Sequence, residues 1–138
     1  MKQDCPSEAE EQKTLFQWAH LMRNRLPGIE LMFHIPNGGS RDIREAANLK
    51  AQGVKPGIPD LFIPVPVDHY HGCWIEMKRV RDGRVSEQQK QVMAALLERD
   101  YFVAVCYGWY DAAKTICAYY GVKFDEQNGV QTRMEGIR

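Results

Sequence analysis

Several things are scarce in this sequence of 138 residues, and each scarcity excludes a class of protein. There is no excess of either charge, with 18 Lys and Arg against 18 Asp and Glu. That excludes a chain coated in basic residues for generic nucleic-acid binding, while leaving local patches open. No apolar run reaches the ~18 residues a membrane span needs, and the charged N-terminal segment does not read as a secretion signal. A cytoplasmic protein with no membrane partner is expected. The four cysteines, Cys5, Cys73, Cys106 and Cys117, form no Cys-x-x-Cys pair and are read as buried thiols. His69, His71 and Cys73 come nearest to a zinc set, but they alternate through a loop and strand entrance and fit a surface hairpin better. Internal repeats and low-complexity segments are absent, so solenoids and linkers are excluded.

What is present suits one globular domain: a 44% hydrophobic fraction including 10% aromatics. Leu15, Ala19, Met22 and Leu26 recur at helical spacing, so a helix is expected over residues 7–26, capped by Ser7 and stopped by Pro27-Gly28. Ile29 to Ile35 reads as a strand ending in the turn Pro36-Asn37-Gly38-Gly39. A second helix is expected over 42–52, entered through Ser40 or Asp42 and closed by Gly53. The run Leu61 to Val67 reads as a strand whose Pro64 and Pro66 make it an edge or end it early. Trp74 to Arg79 is the next strand. Ser86-Glu87-Gln88-Gln89 spells a capping box before a third helix, Phe102 to Cys106 is a buried strand, and Asp111 caps a last helix that Gly121 stops. The order predicts an α/β domain, a mixed sheet flanked by helices with its core at about 7–121. Residues 122–138 read as a polar, loosely attached tail.

The chemistry concentrates at Pro59-Asp60, followed after fifteen residues by Glu76-Met77-Lys78. In a strand Glu76 and Lys78 share a face while Met77 points the other way. If the strand after Asp60 pairs with this one, two carboxylates and an ammonium converge, and the Met77 carbonyl adds an oxygen. Such a group suits a hard divalent cation and a phosphate. Glu and Lys two apart in a strand are also an ordinary exposed ion pair, but here they interrupt an otherwise apolar strand. Asn37, Gly38 and Gly39 fit either a plain turn or a loop whose backbone approaches a phosphate. Gln89 has a sufficient role in its capping box and is retained as site-adjacent, and His34 is read as a half-buried histidine the chemistry does not need. Basic residues gather on both sides of the site, Arg41, Arg44, Lys50 and Lys55 before it and Lys78, Arg79, Arg81, Arg84 and Lys90 after it.

These pieces, in this order, resemble the VRR-NUC (virus-type replication-repair nuclease) family of the PD-(D/E)xK nuclease superfamily. The resemblance rests on Glu8 with Gln12, on His34 to Gly39, on Lys50 through Pro59-Asp60, on Glu76-x-Lys78, and on Ser86 with Gln89. It implies a restriction-endonuclease-like core and a Mg²⁺- or Mn²⁺-dependent DNA endonuclease. Asp60, Glu76 and the Met77 carbonyl are the implied metal ligands, Lys78 the catalytic lysine and Glu8 the acid from the first helix, with Glu11 its competitor. Gln12, Arg41, Lys55, Arg79 and Arg81 are then expected beside the site or on DNA. The resemblance further implies a homodimer acting on branched DNA such as Holliday junctions, of bacteriophage or prophage origin. Trp109, Tyr110, Tyr119 and Tyr120 are divided between core and dimer interface in this reading. A non-specific or end-directed nuclease of the same fold, and a non-catalytic DNA-binding module, are the alternatives.

Overall fold

Ser7 starts the first helix reciprocally: its hydroxyl accepts from the Glu10 amide and the Glu10 carboxylate from the Ser7 amide, both at 3.1 Å. This helix, α1 (Glu8–Leu21), opens a computed structural model that describes residues 5–36 and 42–126. The helix ends before Leu26, where the sequence pattern had carried it, yet Leu26 is fully buried through the turns that follow. Its apolar spacing thus records burial without recording helix. The strand expected from Ile29 to Ile35 is mostly a 3₁₀ turn, Ile29–Leu31, followed by β1 (Phe33–His34). Ile29 and Met32 are the buried positions here, and a spacing of three fits a 3₁₀ turn, not a pleat.

The second helix, α2 (Ile43–Ala51), is capped by Asp42, whose carboxylate accepts from the Glu45 amide at 2.7 Å. None of its residues is buried. The remaining elements are β2 (Leu61–Ile63), β3 (Cys73–Lys78), α3 (Glu87–Glu98), β4 (Phe102–Tyr107) and α4 (Trp109–Tyr120). The sheet order is β1-β2-β3-β4, antiparallel except for β3 and β4, which α3 joins as a parallel crossover. Pro64 and Pro66 lie just past β2, so the run ends early, and the edge position belongs to β1.

One face of the sheet carries Leu61, Ile63, Cys73, Ile75 and Met77 into the core against α1 and α4. Trp109 and Tyr119 are buried in that core, and Tyr110 and Tyr120 pack against it. Of the aromatics divided between core and interface, Trp109 and Tyr119 are therefore core residues, while Tyr110 and Tyr120 are half-buried at its edge. Val122 and Phe124 also pack on it, with the Phe124 ring 5.1 Å from Tyr110, so attachment continues past Gly121. Cys73, Cys106 and Cys117 are buried free thiols, and burial pushes Cys106 and Cys117 up to about 11. Cys73 faces the core while the His69 ring stacks on Tyr70 in the hairpin turn, which leaves no zinc set there.

The last helix begins at Gly108, not at Asp111. The Glu11 carboxylate reaches from α1 to accept from the Trp109 amide at 2.7 Å, while Asp111 accepts from Tyr107 instead. A capping group 98 positions away cannot be found by local spacing. Glu11→Ala is expected to lower stability by about 2 kcal/mol in urea unfolding, since a buried charged acceptor at a helix start is removed, whereas Glu11→Gln, which keeps an acceptor oxygen, should lose less.

Candidate active site

The Asp60 position follows from where β2 starts. Leu61 pairs with Ile75, so Asp60 lies across from Glu76 just beyond the ladder. Its side chain takes the place of a strand: Asp60 Oδ2 accepts from the Met77 amide at 2.9 Å. A residue's N–H and C=O leave a strand on the same edge, so the Met77 carbonyl is turned toward this edge too. The Asp60 carbonyl is held in turn by the Ile35 amide at 2.7 Å and by His34 Nδ1 at 3.0 Å. His34 therefore positions the Asp60 backbone, a role its sequence context does not reveal.

Glu76 and Lys78 project from the sheet face opposite the core, and both are nevertheless buried, at 3% and 9% exposure. Lys78 Nζ stands 3.4 Å from Glu76 Oε1. The same oxygen accepts from Gln89 Nε2 at 2.9 Å. Gln89 also accepts from the Ser86 amide at 2.9 Å through its own Oε1. One amide thus caps α3 and holds the Glu76 carboxylate. The other oxygen, Glu76 Oε2, is buried without a hydrogen-bond partner. Burial first, and the Asp60 carboxylate second, raise Glu76 to about 7 against the opposing pull of Lys78.

A buried carboxylate oxygen with no partner, beside a second carboxylate and a main-chain carbonyl, is a donor set for a hard cation. It comprises two side chains: among the described residues no group of three His, Cys, Asp or Glu is placed to share an ion. Glu8 is exposed at the start of α1 and its side chain makes no hydrogen bond or ion pair among the described residues, while Glu11 is buried against α4. Gln12 is half-buried, and Lys55, Arg79 and Arg81 are exposed. Asn37, Gly38, Gly39 and Arg41 lie outside the described residues. The structure therefore brings together Asp60, Glu76, Met77, Lys78 and Gln89.

The capped helix and the site share one side chain. Gln89→Ala is expected to cost about 1 kcal/mol of stability through the cap, read in thermal melts, and to free the Glu76 carboxylate that its amide holds.

An α/β fold with Asp60 and Glu76-x-Lys78 meeting at the middle of a mixed sheet defines a nuclease-type domain with a restriction-endonuclease-like core. The chain belongs to the VRR-NUC domain family, whose profile matches residues 3–109. A solved structure described as a VRR_NUC domain protein is similar over 89% of this chain and 96% of its own, with 28% identity and a TM-score of 0.74. No curated protein matches the chain significantly. Among the described residues no helix is long and apolar enough to cross a membrane.

Proposed function

We propose that this domain is a divalent-cation-dependent DNA endonuclease, using Mg²⁺ or Mn²⁺. The observation that carries the reading is Glu76 Oε2, buried and unpartnered beside Asp60, with the Lys78 ammonium on the carboxylate's other oxygen. Asp60, Glu76 Oε2 and the Met77 carbonyl would hold the ion, with Glu8 entering directly or through water. A bound divalent cation supplies a lowered pKa for water and neutralises charge on the scissile phosphate. Lys78, fixed by Glu76, presents an ammonium to the attacking water or to the charge that develops on phosphorus. Gln89 keeps Glu76 oriented, and the exposed Lys55, Arg79 and Arg81 meet neighbouring phosphates. No covalent enzyme intermediate is required.

The family resemblance supports a finer reading: a cytoplasmic homodimer of phage or prophage origin whose two sites cut symmetric strands of a four-way junction. Incubating a labelled four-way junction, a linear duplex and a single strand with Mg²⁺, Mn²⁺ or EDTA tests both levels. Cation-dependent junction cutting is the expected result. Cutting of linear DNA alone would keep the chemistry and remove the junction preference. DNA binding without cutting under any cation would favour the binding-module alternative.

A further inference from the structure

Beside the site, where the end of α2 and the loop after it meet α3, lies a cleft of about 430 Å³. It is lined by the exposed Lys50, Lys55, Gln88 and Gln91 together with apolar residues that include Ile58 and Val92. We propose that this cleft is a nucleotide subsite, receiving one unpaired nucleotide next to the phosphate being cut, base inward and phosphate at the lysines. The inference rests on the nuclease reading above.

The chemistry of the lining selects this ligand. Among the described residues no acidic side chain lines the cleft and neither lysine has an ion-pair partner, so the lysine side suits an anion. A free phosphate would leave the rest unused. The Gln88 and Gln91 amides make no side-chain hydrogen bonds among the described residues, and each offers a donor and an acceptor. An apolar surface beside free amides matches a nucleobase, which has a π-face and an edge of donors and acceptors. The volume falls within the range of small-ligand pockets.

Placement ties the cleft to the cut. Ile58 stands two residues before Asp60, a span of at most about 7 Å of chain. Gln88, Gln91 and Val92 share one face of α3, while Gln89 on the adjoining face holds Glu76. Gly57, at φ +86°, brings the loop so close to α3 that a Cβ there would lie 2.8 Å from the Gln88 carbonyl oxygen. Loop, cleft and catalytic helix are therefore packed as one piece. A base paired in a duplex reaches such a cleft only by flipping, which gives up its pairing and stacking, whereas an unpaired base enters without that cost. The cleft would thus select DNA with an unpaired nucleotide beside the cut, as at a branch.

Two duplexes test this in EDTA with the full chain, one with a single bulged 2-aminopurine and one with an abasic residue at the same bulge. The wild-type chain should bind the first at least about fivefold more tightly, which is what removing about 40 Å² of apolar surface from water supplies. The double variant Gln88→Ala/Gln91→Ala should bring the two affinities together. The double variant Lys50→Ala/Lys55→Ala should weaken both equally and flatten the salt dependence. All four positions are exposed, so folding is not at stake. Equal wild-type affinities, or a glutamine variant that weakens both duplexes alike, would overturn the subsite. Parallel cleavage with Mn²⁺ separates the two readings. Cutting without base discrimination removes the cleft alone, and discrimination without cutting removes the nuclease while the cleft stands.

Discussion

Asp60→Ala and Lys78→Ala are each expected to reduce DNA hydrolysis by about 10³-fold, and by different routes. Asp60 faces Met77 across the point where β2 gives way to a side chain, and its carboxylate is one of two available to a cation. Its loss should raise the cation concentration needed for half-maximal rate, and excess Mn²⁺ should restore part of the activity. Lys78 touches Glu76 and supplies positive charge. At a pH well above about 7, where Glu76 is ionised, its loss should lower the rate at saturating cation while leaving apparent cation affinity nearly unchanged. Removing that ammonium also removes the influence that lowers the Glu76 pKa, so the onset of activity should move to higher pH. Rates measured against cation concentration for both variants decide the matter. A Lys78→Ala protein whose defect disappears with added cation would contradict the assignment of roles.

In EDTA, the stability attributable to Glu76 is expected to fall as pH rises from about 4.5 to about 7. In the folded protein this carboxyl keeps its proton up to about 7, whereas its ordinary value is 4.5. Within that window the native state binds more protons than the unfolded state, so raising the pH favours unfolding. The loss is absent below the window and complete above it, of the order of 3 kcal/mol. Comparison with Glu76→Gln isolates Glu76 and its coupling to Asp60, because carboxylates that do not interact with Glu76 contribute equally to both curves. A cation needs Glu76 ionised, so Mg²⁺ or Mn²⁺ should raise the melting temperature more at about pH 8 than at about pH 5.5 and should release protons on binding. Parallel stability curves for wild type and Glu76→Gln across the window would refute the pKa shift.

The elements with strong local signals were legible in the sequence. Ser86 with Gln89 starts α3, Asp42 starts α2, and Gly121 ends α4 in the left-handed region. Each device works through atoms a few residues apart. Where the sequence reading departed from the structure, a distant group had intervened. Glu11 moved the start of α4 to Gly108, and the packing of Leu26, Ile29 and Met32 into the core turned an expected helix end and strand into turns and a 3₁₀ segment. Of the candidate site, the shared face of Glu76 and Lys78 could be read from a strand's two-residue period, whereas joining Asp60 to them rested on the family resemblance. Gln89 showed only as a cap, and its second contact with Glu76 was invisible. Gln88, Gln91 and the cleft they line carried no signal beyond polar residues on an exposed helix.

What the sequence by itself determined is therefore the family and the order of elements, with Asp60, Glu76 and Lys78 as candidates for the site, because caps, alternation and ordered motifs are written along the chain. The tertiary structure alone decided how those charges behave. It buried Glu76 against the pull of Lys78, left one of its oxygens without a partner, and placed Asp60 on the Met77 amide. Burial and proximity between remote segments set the pKa of a carboxylate and the donors around it, and neither quantity exists until the chain has folded.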